Sequence, residues 1–195
     1  MGFLLDSCSH RLLTRDLLRV CKPFHCGDPD LDDFFNNDAP LYHEALLGKS
    51  YCFVLEGDLP KIVAAYTLSS DSVHVSSLPN ARKKRINANI ARAKQSKRYP
   101  AILIGRLGVN INYFNMGIGS EMMSLILRMA TLRDNIADCR YLAVDAYNNS
   151  KTLHFYEKNR FSFLYSSEEQ EAENIRHALP LKTRFMFYDL INLKQ

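Results

Sequence analysis

The sequence predicts a mixed α/β (α+β) fold, in which helices cover both faces of a twisted mixed sheet of six or seven strands. Two β-rich runs, 51–56 and 61–70, are separated by Gly57, Asp58 and Pro60, which is typical of an antiparallel pair joined by a tight connection. Apolar strand patterns then alternate with helix patterns in the second half of the chain. Such a series after an antiparallel pair favours a mixed sheet covered by helices.

The length and composition suit one domain over residues 1–195, with a basic insert at about 81–99. The chain is 47% hydrophobic and 24% charged, which is the balance of an ordinary globular protein. Its five cysteines are scattered without a C-x-x-C pair, so we expect neither a disulfide framework nor a metal site. No apolar run approaches the roughly 18 residues of a membrane span, and the first residues lack a signal-peptide pattern, so we expect a cytoplasmic location.

Local patterns place the elements of the first half. Asp28 as N-cap and Pro29 in the first turn begin a helix that is expected to end near Gly48. After the strand pair, the segment 81–98 contains eight cationic residues and no acidic one. Its apolar residues recur at near-helical spacing until Pro100, so it is expected to be a solvated helix or arm.

The second half of the chain predicts four further strands and two helices. A helix begins at Gly117, where apolar residues recur at steps of three and four, and a shorter helix carries Tyr156. The strands are expected within 101–109, 140–147, 160–165 and 181–193. A turn between a strand and a helix at the edge of such a sheet is a common ligand site, so the segment 112–119 is a candidate.

Two glycines, Gly117 and Gly119, open the helix that follows this turn. The first turn of a helix presents N–H groups without intrahelical partners and partial positive charge, so it attracts anions. The glycines remove side chains that would keep a phosphate away from those N–H groups. The pattern is neither a Walker A loop nor a Rossmann fingerprint, because it lacks the lysine of the first and the third glycine of the second.

Four segments carry a resemblance to a known family. "LIGRLGV", "NYFNMGIGSEMM", "YLAVDAYN" and "HFYEKNRF", in that order, resemble the GNAT superfamily of acyl-coenzyme A dependent N-acetyltransferases. "FHCGDPDLDDFF" and "LKTRFMFYDLINL" resemble the branch that contains toxin acetyltransferases acting on aminoacyl-tRNA. The resemblance implies a sheet with a splayed central strand pair, acetyl-CoA as cosubstrate without a metal, and acetyl transfer to a primary amine.

The resemblance also implies which residues bind the coenzyme. The pyrophosphate loop maps onto Phe114 to Gly119, with Phe114, Asn115 and Met116 where the family commonly has Arg or Gln, Gly, and Lys. The backbone of Leu107, Gly108 and Val109 would pair with the pantetheine arm as another strand does. The expected coenzyme-binding residues are Leu107, Val109, Phe114, Asn115, Met116, Gly117, Ile118, Gly119, Ser120 and Asn148, although Asn148 or Asn149 also suits the cap of the following helix.

The resemblance assigns the chemistry to few groups. Tyr156 stands where the family has its general acid, and a phenol with a pKa of about 10 is protonated at neutral pH. The N–H of Val109 would meet the thioester oxygen. The candidate bases by residue type are Glu44, Asp145, His154 and Glu157. An aminoacyl α-amine, with a pKa of roughly 7.7, needs little help from a base, whereas a lysine near 10.4 needs more.

The acceptor is open at this stage. Arg82, Lys83, Lys84 and Arg85 are candidates for contacts to a tRNA, whose phosphates attract cationic side chains. The toxin-like branch implies a small DNA-binding antitoxin as a partner and leaves a homodimer open. One alternative is a small-molecule or protein acceptor. Another is a non-catalytic acyl-CoA-binding module, and two features favour this module: the altered loop 114–116 and Arg160, which stands where the family usually has glycine.

Overall fold

A computed structural model describes residues 2–76, 78–87, 90, 97–132, 135 and 137–193. The strands are β1 Cys8–Leu12, β2 Lys49–Leu55, β3 Lys61–His74, β4 Arg98–Val109, β5 Tyr141–Tyr147, β6 Ser162–Phe163 and β7 Thr183–Asp189. The α-helices are α1 Phe3–Ser7, α2 Arg15–Val20, α3 Pro29–Asp33, α4 Ala39–Glu44, α5 Asn80–Asn87, α6 Ile118–Ala130, α7 Ser150–Lys158 and α8 Glu168–Ile175. A π-helical turn lies at Phe34–Asp38, and 3₁₀ turns lie at Ile111–Tyr113 and Leu190–Leu193.

The strands form a seven-stranded mixed sheet in the order β1-β2-β3-β4-β5-β7-β6. The pairs β1–β2, β2–β3, β5–β7 and β6–β7 are antiparallel, and the middle pair, β4 and β5, is parallel. The predicted mixed sheet of six or seven strands, with its antiparallel pair at β2 and β3, is therefore confirmed. The splay of the central pair stays a prediction.

The described chain divides into two compact units, Met1–Ser69 with Ile104–Ile126, and Ser70–Leu103 with Leu127–Gln195. The core of the first unit is built by β2, β3 and the helices between β1 and β2. Its buried members are Leu13, Leu17, Cys21, Phe24, Phe34, Phe35, Ala39, Cys52, Val54, Ile62 and Ala65. The rings of Phe24 and Phe34 both pack edge-on against Phe35, which is fully buried.

The helix expected from Asp28 to near Gly48 is interrupted. It begins as predicted, because an Asp28 carboxylate oxygen accepts from the N–H groups of Asp30 and Leu31 at 3.0 and 3.2 Å. After α3 the chain forms the π-helical turn, in which the Ala39 N–H donates to the Phe34 carbonyl. Pro40 has no N–H to continue the α-helical ladder, so the helix restarts with Pro40 in the first turn of α4.

The core of the second unit lies between β3, β4, β5 and α5. Its buried members are Val73, Val75, Leu78, Ile86, Tyr99, Ala101, Tyr141, Ala143, Leu164 and Tyr165. A buried ion pair supports it, with Arg184 Nε 2.6 Å from Glu171 Oε2 and the Phe185 N–H donating to Glu171 Oε1 at 2.6 Å. Glu171 lies on α8, a helix that the sequence patterns did not predict.

The helix predicted in the basic segment forms at α5, whose Ile86 is buried in the second core. Arg92, Lys94 and the rest of 91–96 lie outside the described residues. Of the helices that are described, none has the length and apolar character to span a bilayer. Within the same residues, no cluster of three or more His, Cys, Asp or Glu side chains has the arrangement of a metal site.

Candidate active site

The segment after β4 is shaped by Asn110. Its N–H donates to the Val63 carbonyl at 2.8 Å, and its side-chain amide donates to the Ile62 carbonyl at 3.2 Å. Its side-chain oxygen accepts from the Asn112 N–H at 3.1 Å and so caps the 3₁₀ turn. Asn110 therefore ends β4 against β3 and directs the chain into the glycine turn.

The glycine turn, residues 114–119, leads into α6 through two left-handed residues. Asn115 has φ 62° and Gly117 has φ 77°, a region that asparagine and glycine adopt more easily than other residues. The first α-helical bond runs from the Glu121 N–H to the Gly117 carbonyl at 3.1 Å. Ile118 is 1% exposed and anchors the start of the helix.

The backbone N–H groups of residues 115–119 in this turn are unpaired among the described residues. Within the described part of the chain, no hydrogen bond uses an N–H of residues 115–119 as donor. A Cβ at Gly117 would meet nothing within 4 Å, so the space in front of the turn is open. Open, unpaired N–H groups at a helix start fit the diphosphate of a coenzyme A.

The side chains of the turn add no charge to this cradle. Phe114 is 45% exposed and Met116 is 57% exposed, at the positions where the family commonly has polar or basic residues. The acidic residue of the first helical turn, Glu121, accepts from the N–H groups of Leu4 and Leu5 at 2.9 and 3.3 Å. Its carboxylate therefore caps the start of α1, and binding in the glycine turn depends on the backbone.

Burial alternates along the strand motif of β4, from Leu107 to Val109. Leu107 and Val109 are half-buried, whereas Gly108 is buried. A Cβ at Gly108 would lie 3.2 Å from the Phe24 ring and 3.3 Å from Cys26 Sγ, so glycine is needed for this close packing. At Gly105, the other glycine of β4, a Cβ would meet nothing within 4 Å.

The loop 22–28 is held against the end of β4. The Asn36 side chain accepts from the Phe24 N–H and donates to the Phe24 carbonyl, both at 2.8 Å. The Ile111 N–H donates to the His25 carbonyl at 3.0 Å. An Asp32 oxygen accepts from the Cys26 N–H at 2.6 Å, and the other oxygen lies 2.5 Å from His25 Nδ1. No local sequence pattern links His25 and Asp32, because they are seven residues apart.

Tyr156, the predicted acid, lies on α7 in the second unit. Asn149 caps this helix by accepting from the Thr152 N–H at 2.9 Å. The Tyr156 ring packs edge-on against Phe155 and Phe161, with centroids 5.1 and 5.4 Å away, and the residue is 6% exposed. Its hydroxyl forms no hydrogen bond with a described residue, and burial raises the Tyr156 pKa. The phenol is therefore protonated at neutral pH, with its proton available.

Asn148, another predicted site residue of the second unit, has partners in the protein. The Asn148 side-chain N donates to Glu168 and to the Leu181 carbonyl, at 3.0 and 2.9 Å, and so joins two loops. Arg160, where the family usually has glycine, has φ 67° and ends α7 in the left-handed region. This conformation explains the family's preference for glycine at that position.

The base candidates have different surroundings. Glu44 is bound by Arg15 through two hydrogen bonds of 3.0 Å. Desolvation raises the pKa of Asp145, and the negative charges of Asp71 and Glu171 raise it further. His154 and Glu157 are exposed on α7. None of these observations selects one of the four as a base.

The cations of α5 are used unequally. The Arg82 guanidinium donates to Ser166 Oγ at 3.0 Å and to the carbonyls of Tyr165 and Phe163 at 3.3 and 3.5 Å. Lys83 is half-buried and Lys84 is exposed, while the side chain of Arg85 lies outside the described part of the chain. Arg82 therefore binds the chain's own loop.

Comparisons with known proteins identify the family and the fold of this chain. The model of the acetyltransferase (GNAT) family matches residues 13–161. A Tyr-to-Phe variant of KacT is 17% identical, with a TM-score of 0.68 over 97% of this chain and 99% of that chain. AtaT complexed with acetyl-methionyl-tRNAfMet is 17% identical, with a TM-score of 0.69 over 96% and 97%. AtaTR bound with AcCoA is 18% identical, with a TM-score of 0.66 over 97% of both chains.

At these identities the solved structures show the fold, and the family model shows the family, since it matches well over half of the chain. The glycine turn, the strand motif and Tyr156 all lie within the matched residues. The chain therefore belongs to the GNAT acetyltransferase family, and it is an acyl-CoA-dependent N-acetyltransferase that uses acetyl-CoA.

Proposed function

We propose that this acetyltransferase transfers the acetyl group of acetyl-CoA to the α-amine of an aminoacyl-tRNA, with Tyr156 as the general acid. The observation that carries the proposal is the Tyr156 side chain, whose ring packs against Phe155 and Phe161 while its hydroxyl has no hydrogen-bond partner among the described residues. The hydroxyl oxygen is not one of the buried unpaired side-chain atoms of the described residues, so it is accessible to a ligand. An accessible, unpaired phenol suits a group that donates its proton to substrate.

The coenzyme is held mainly by backbone. The N–H groups of residues 115–119, with Ser120 behind them, receive the diphosphate, and this role is supported by their unpaired state and by the open space at Gly117. Leu107 and Val109 offer backbone groups to the pantetheine arm. Asn148 contributes by joining the loops at Glu168 and Leu181 beside the start of α7.

The chemistry then follows from a few positions. A neutral amine attacks the thioester carbon, and the Val109 N–H stabilises the developing oxyanion. The C–S bond breaks as the thiolate of coenzyme A takes the proton of the Tyr156 hydroxyl. The new amide nitrogen loses its extra proton to the resulting phenolate, which restores the phenol.

Two observations support an aminoacyl-tRNA as the acceptor. The chain resembles AtaT, solved with acetyl-methionyl-tRNAfMet, over nearly the full length of both chains. An α-amine has a pKa of about 7.7, so much more of it is neutral at pH 7 than of a lysine amine. Lys83, Lys84 and Arg85 contribute positive charge for the tRNA phosphates, whereas Arg82 binds Ser166 and the carbonyl of Tyr165.

The partners follow the same likeness. Solved structures of AtaT with the C-terminus of the antitoxin AtaR, and of a KacTA–DNA complex, cover 96% or more of this chain. We therefore expect a small DNA-binding antitoxin to bind this protein. The likeness leaves a homodimer open. One domain over 1–195 and a cytoplasmic location, where charged tRNA is found, complete the proposal.

The test is acetyl transfer by the wild type and the Tyr156→Phe variant, with radiolabelled acetyl-CoA and bulk aminoacylated tRNA. We expect the variant to lose about 10² to 10³ in rate, because the thiolate leaves without a proton donor. Acetyl-CoA affinity, measured by calorimetry, should change less than twofold. Equal rates in both proteins would show that Tyr156 is not the general acid. If the wild type transferred no acetyl group to charged tRNA, the proposed acceptor would be excluded.

A further inference from the structure

We propose that His25, held by Asp32, is the base that takes the proton of the incoming amine. This inference rests on the proposed function, because it assumes that the thioester oxygen meets the N–H of Val109. His25 lies in the loop 22–28, outside the residues that the family resemblance assigned. The geometry of that loop carries the argument.

The loop contacts the chain on both sides of Val109, the last residue of β4. Before Val109, the Phe24 ring and Cys26 Sγ lie against the space above Gly108, where a Cβ would be 3.2 and 3.3 Å from them. After Val109, the Ile111 N–H donates to the His25 carbonyl at 3.0 Å. His25 is thus the loop residue between two contacts that bracket the proposed oxyanion donor.

Asp32 orients the imidazole of His25. One carboxylate oxygen lies 2.5 Å from His25 Nδ1, and the other accepts from the Cys26 N–H at 2.6 Å. The Asp32 side chain is 18% exposed, whereas that of His25 is 59% exposed. A mostly covered carboxylate with two fixed donors holds the ring in one orientation and leaves its other edge towards solvent.

This arrangement makes the imidazole a base. A carboxylate at Nδ1 selects the tautomer with the proton on Nδ1, which leaves a lone pair on Nε2. No hydrogen bond to Nε2 is found in the described ranges. Nε2 can therefore take a proton from an ammonium group, and the Asp32 charge stabilises the imidazolium that forms.

Every proton in the acetyl transfer is accounted for by the acceptor, His25, Tyr156 and water. His25 Nε2 takes one proton from the acceptor's ammonium group, which leaves a neutral amine with its lone pair. That lone pair forms the C–N bond while the C–S bond breaks, and the thiolate receives its proton from Tyr156 as described above. The imidazolium then releases its proton to water, so that each turnover yields amide, coenzyme A and one proton.

The charged and titratable groups around His25 favour this role. Burial raises the pKa of Asp32, but hydrogen bonds from Cys26 and His25 outweigh burial, so its pKa is lowered and it is ionised at neutral pH. Burial raises the pKa of Cys26 to about 12, so this thiol is neutral. Asp28 caps α3 in the same loop, and on β4 the Arg106 guanidinium packs 3.6 Å from the centroid of Phe34.

The experiment measures the rate of acetyl transfer to bulk aminoacylated tRNA between pH 6 and 9 for the wild type, His25→Gln and Asp32→Asn. The matched control is His177→Gln, an exposed histidine of the second unit. At pH 6.5 we expect His25→Gln to be about 15-fold slower, because only about 6% of an amine with pKa near 7.7 is neutral there. The deficit should shrink to less than about twofold by pH 8.5, where most of the amine is neutral without a base.

Asp32→Asn keeps an acceptor for the Cys26 N–H but removes the charge that stabilises the imidazolium. Without that charge, transfer of the proton to Nε2 is less favourable, so the rate at pH 6.5 should fall below that of the wild type, as it does for His25→Gln. A pH profile of His25→Gln or Asp32→Asn that matches the wild type would overturn this inference while leaving the proposed function intact. A wild type that binds acetyl-CoA but labels no charged tRNA would instead defeat the proposed function, and this inference with it.

Discussion

The glycine turn at 114–119 and the basic helix α5 both have groups that attract phosphate, and the structure uses them in opposite ways. The turn has no charged side chain, yet the N–H groups of residues 115–119 have no partner within the part of the chain that the structure describes. Helix α5 carries Arg82, whose guanidinium is bonded to the chain's own carbonyls and to Ser166. Formal charge is therefore a poor guide to where an anion can bind.

The two kinds of donor differ in the conformational entropy that they lose when an anion binds. A backbone N–H at a helix start is already fixed, so it loses little conformational entropy when an anion arrives. A lysine such as Lys84, exposed on α5, must be immobilised, and its attraction is screened by salt. The neutral turn thus suits a defined diphosphate, whereas α5 suits weaker contacts with a long polyanion.

The strongest test of this difference is Gly119→Val. An isopropyl group in the first turn of α6 would cover the N–H groups, so the dissociation constant for coenzyme A should rise about 10²-fold. Calorimetry measures the constant, and thermal unfolding checks that the variant is folded. Gly105→Ala is the control, because a Cβ there would meet nothing within 4 Å. Unchanged affinity in Gly119→Val would mean that coenzyme A does not use this turn.

A smaller effect separates the two cations of α5. Arg82→Gln removes donors to two carbonyls and to Ser166, so the free energy of unfolding in urea should fall by about 1 to 2 kcal/mol. Lys84→Gln should change it by less than about 0.5 kcal/mol, because Lys84 is exposed. In tRNA binding, Lys84→Gln should reduce the salt slope by about one. If Arg82→Gln unfolded at the same urea concentration as Lys84→Gln, the contrast between the two residues would be lost.

The smallest effect adds charge to the turn. Met116→Lys places a cation on a side chain that is 57% exposed, so coenzyme A should bind about two- to fivefold more tightly at low salt. The gain should disappear towards 1 M salt, where exposed charges are screened. Leu59→Lys is the control, because Leu59 is 52% exposed in the β2–β3 connection. A gain that survives high salt, or one that Leu59→Lys matches, would contradict the electrostatic explanation.

Local signals were sufficient for much of the fold. The strand pair at β2 and β3, the Asp28 cap and the Asn149 cap are read from turn and capping residues within a few positions of each other. Elements fixed by distant contacts were not predicted. Helix α1 begins where Glu121 accepts from the Leu4 N–H, 117 positions along the chain. The buried carboxylate of Glu171, on a helix rich in acidic residues, gave no apolar pattern to detect.

The candidate site divides in the same way. The glycine turn was predicted because two glycines, Gly117 and Gly119, stand at the start of a helix pattern directly after a strand. The role of Arg82 and the pairing of His25 with Asp32 depend on which surfaces the fold brings together. Nothing in the spacing of these residues distinguishes them from ordinary exposed ones.

Cys26 packs against Gly108, so the reactivity of its thiol depends on whether the loop 22–28 lies against β4. A thiol with a pKa of about 12 contains almost no thiolate at neutral pH, and only the thiolate reacts with alkylating agents. Iodoacetamide should therefore modify Cys26 mainly in molecules whose loop has lifted from the strand and regained an ordinary thiol. The labelling rate would then measure how often the loop opens locally. Bound acetyl-CoA, which would pair with β4, should lower that rate.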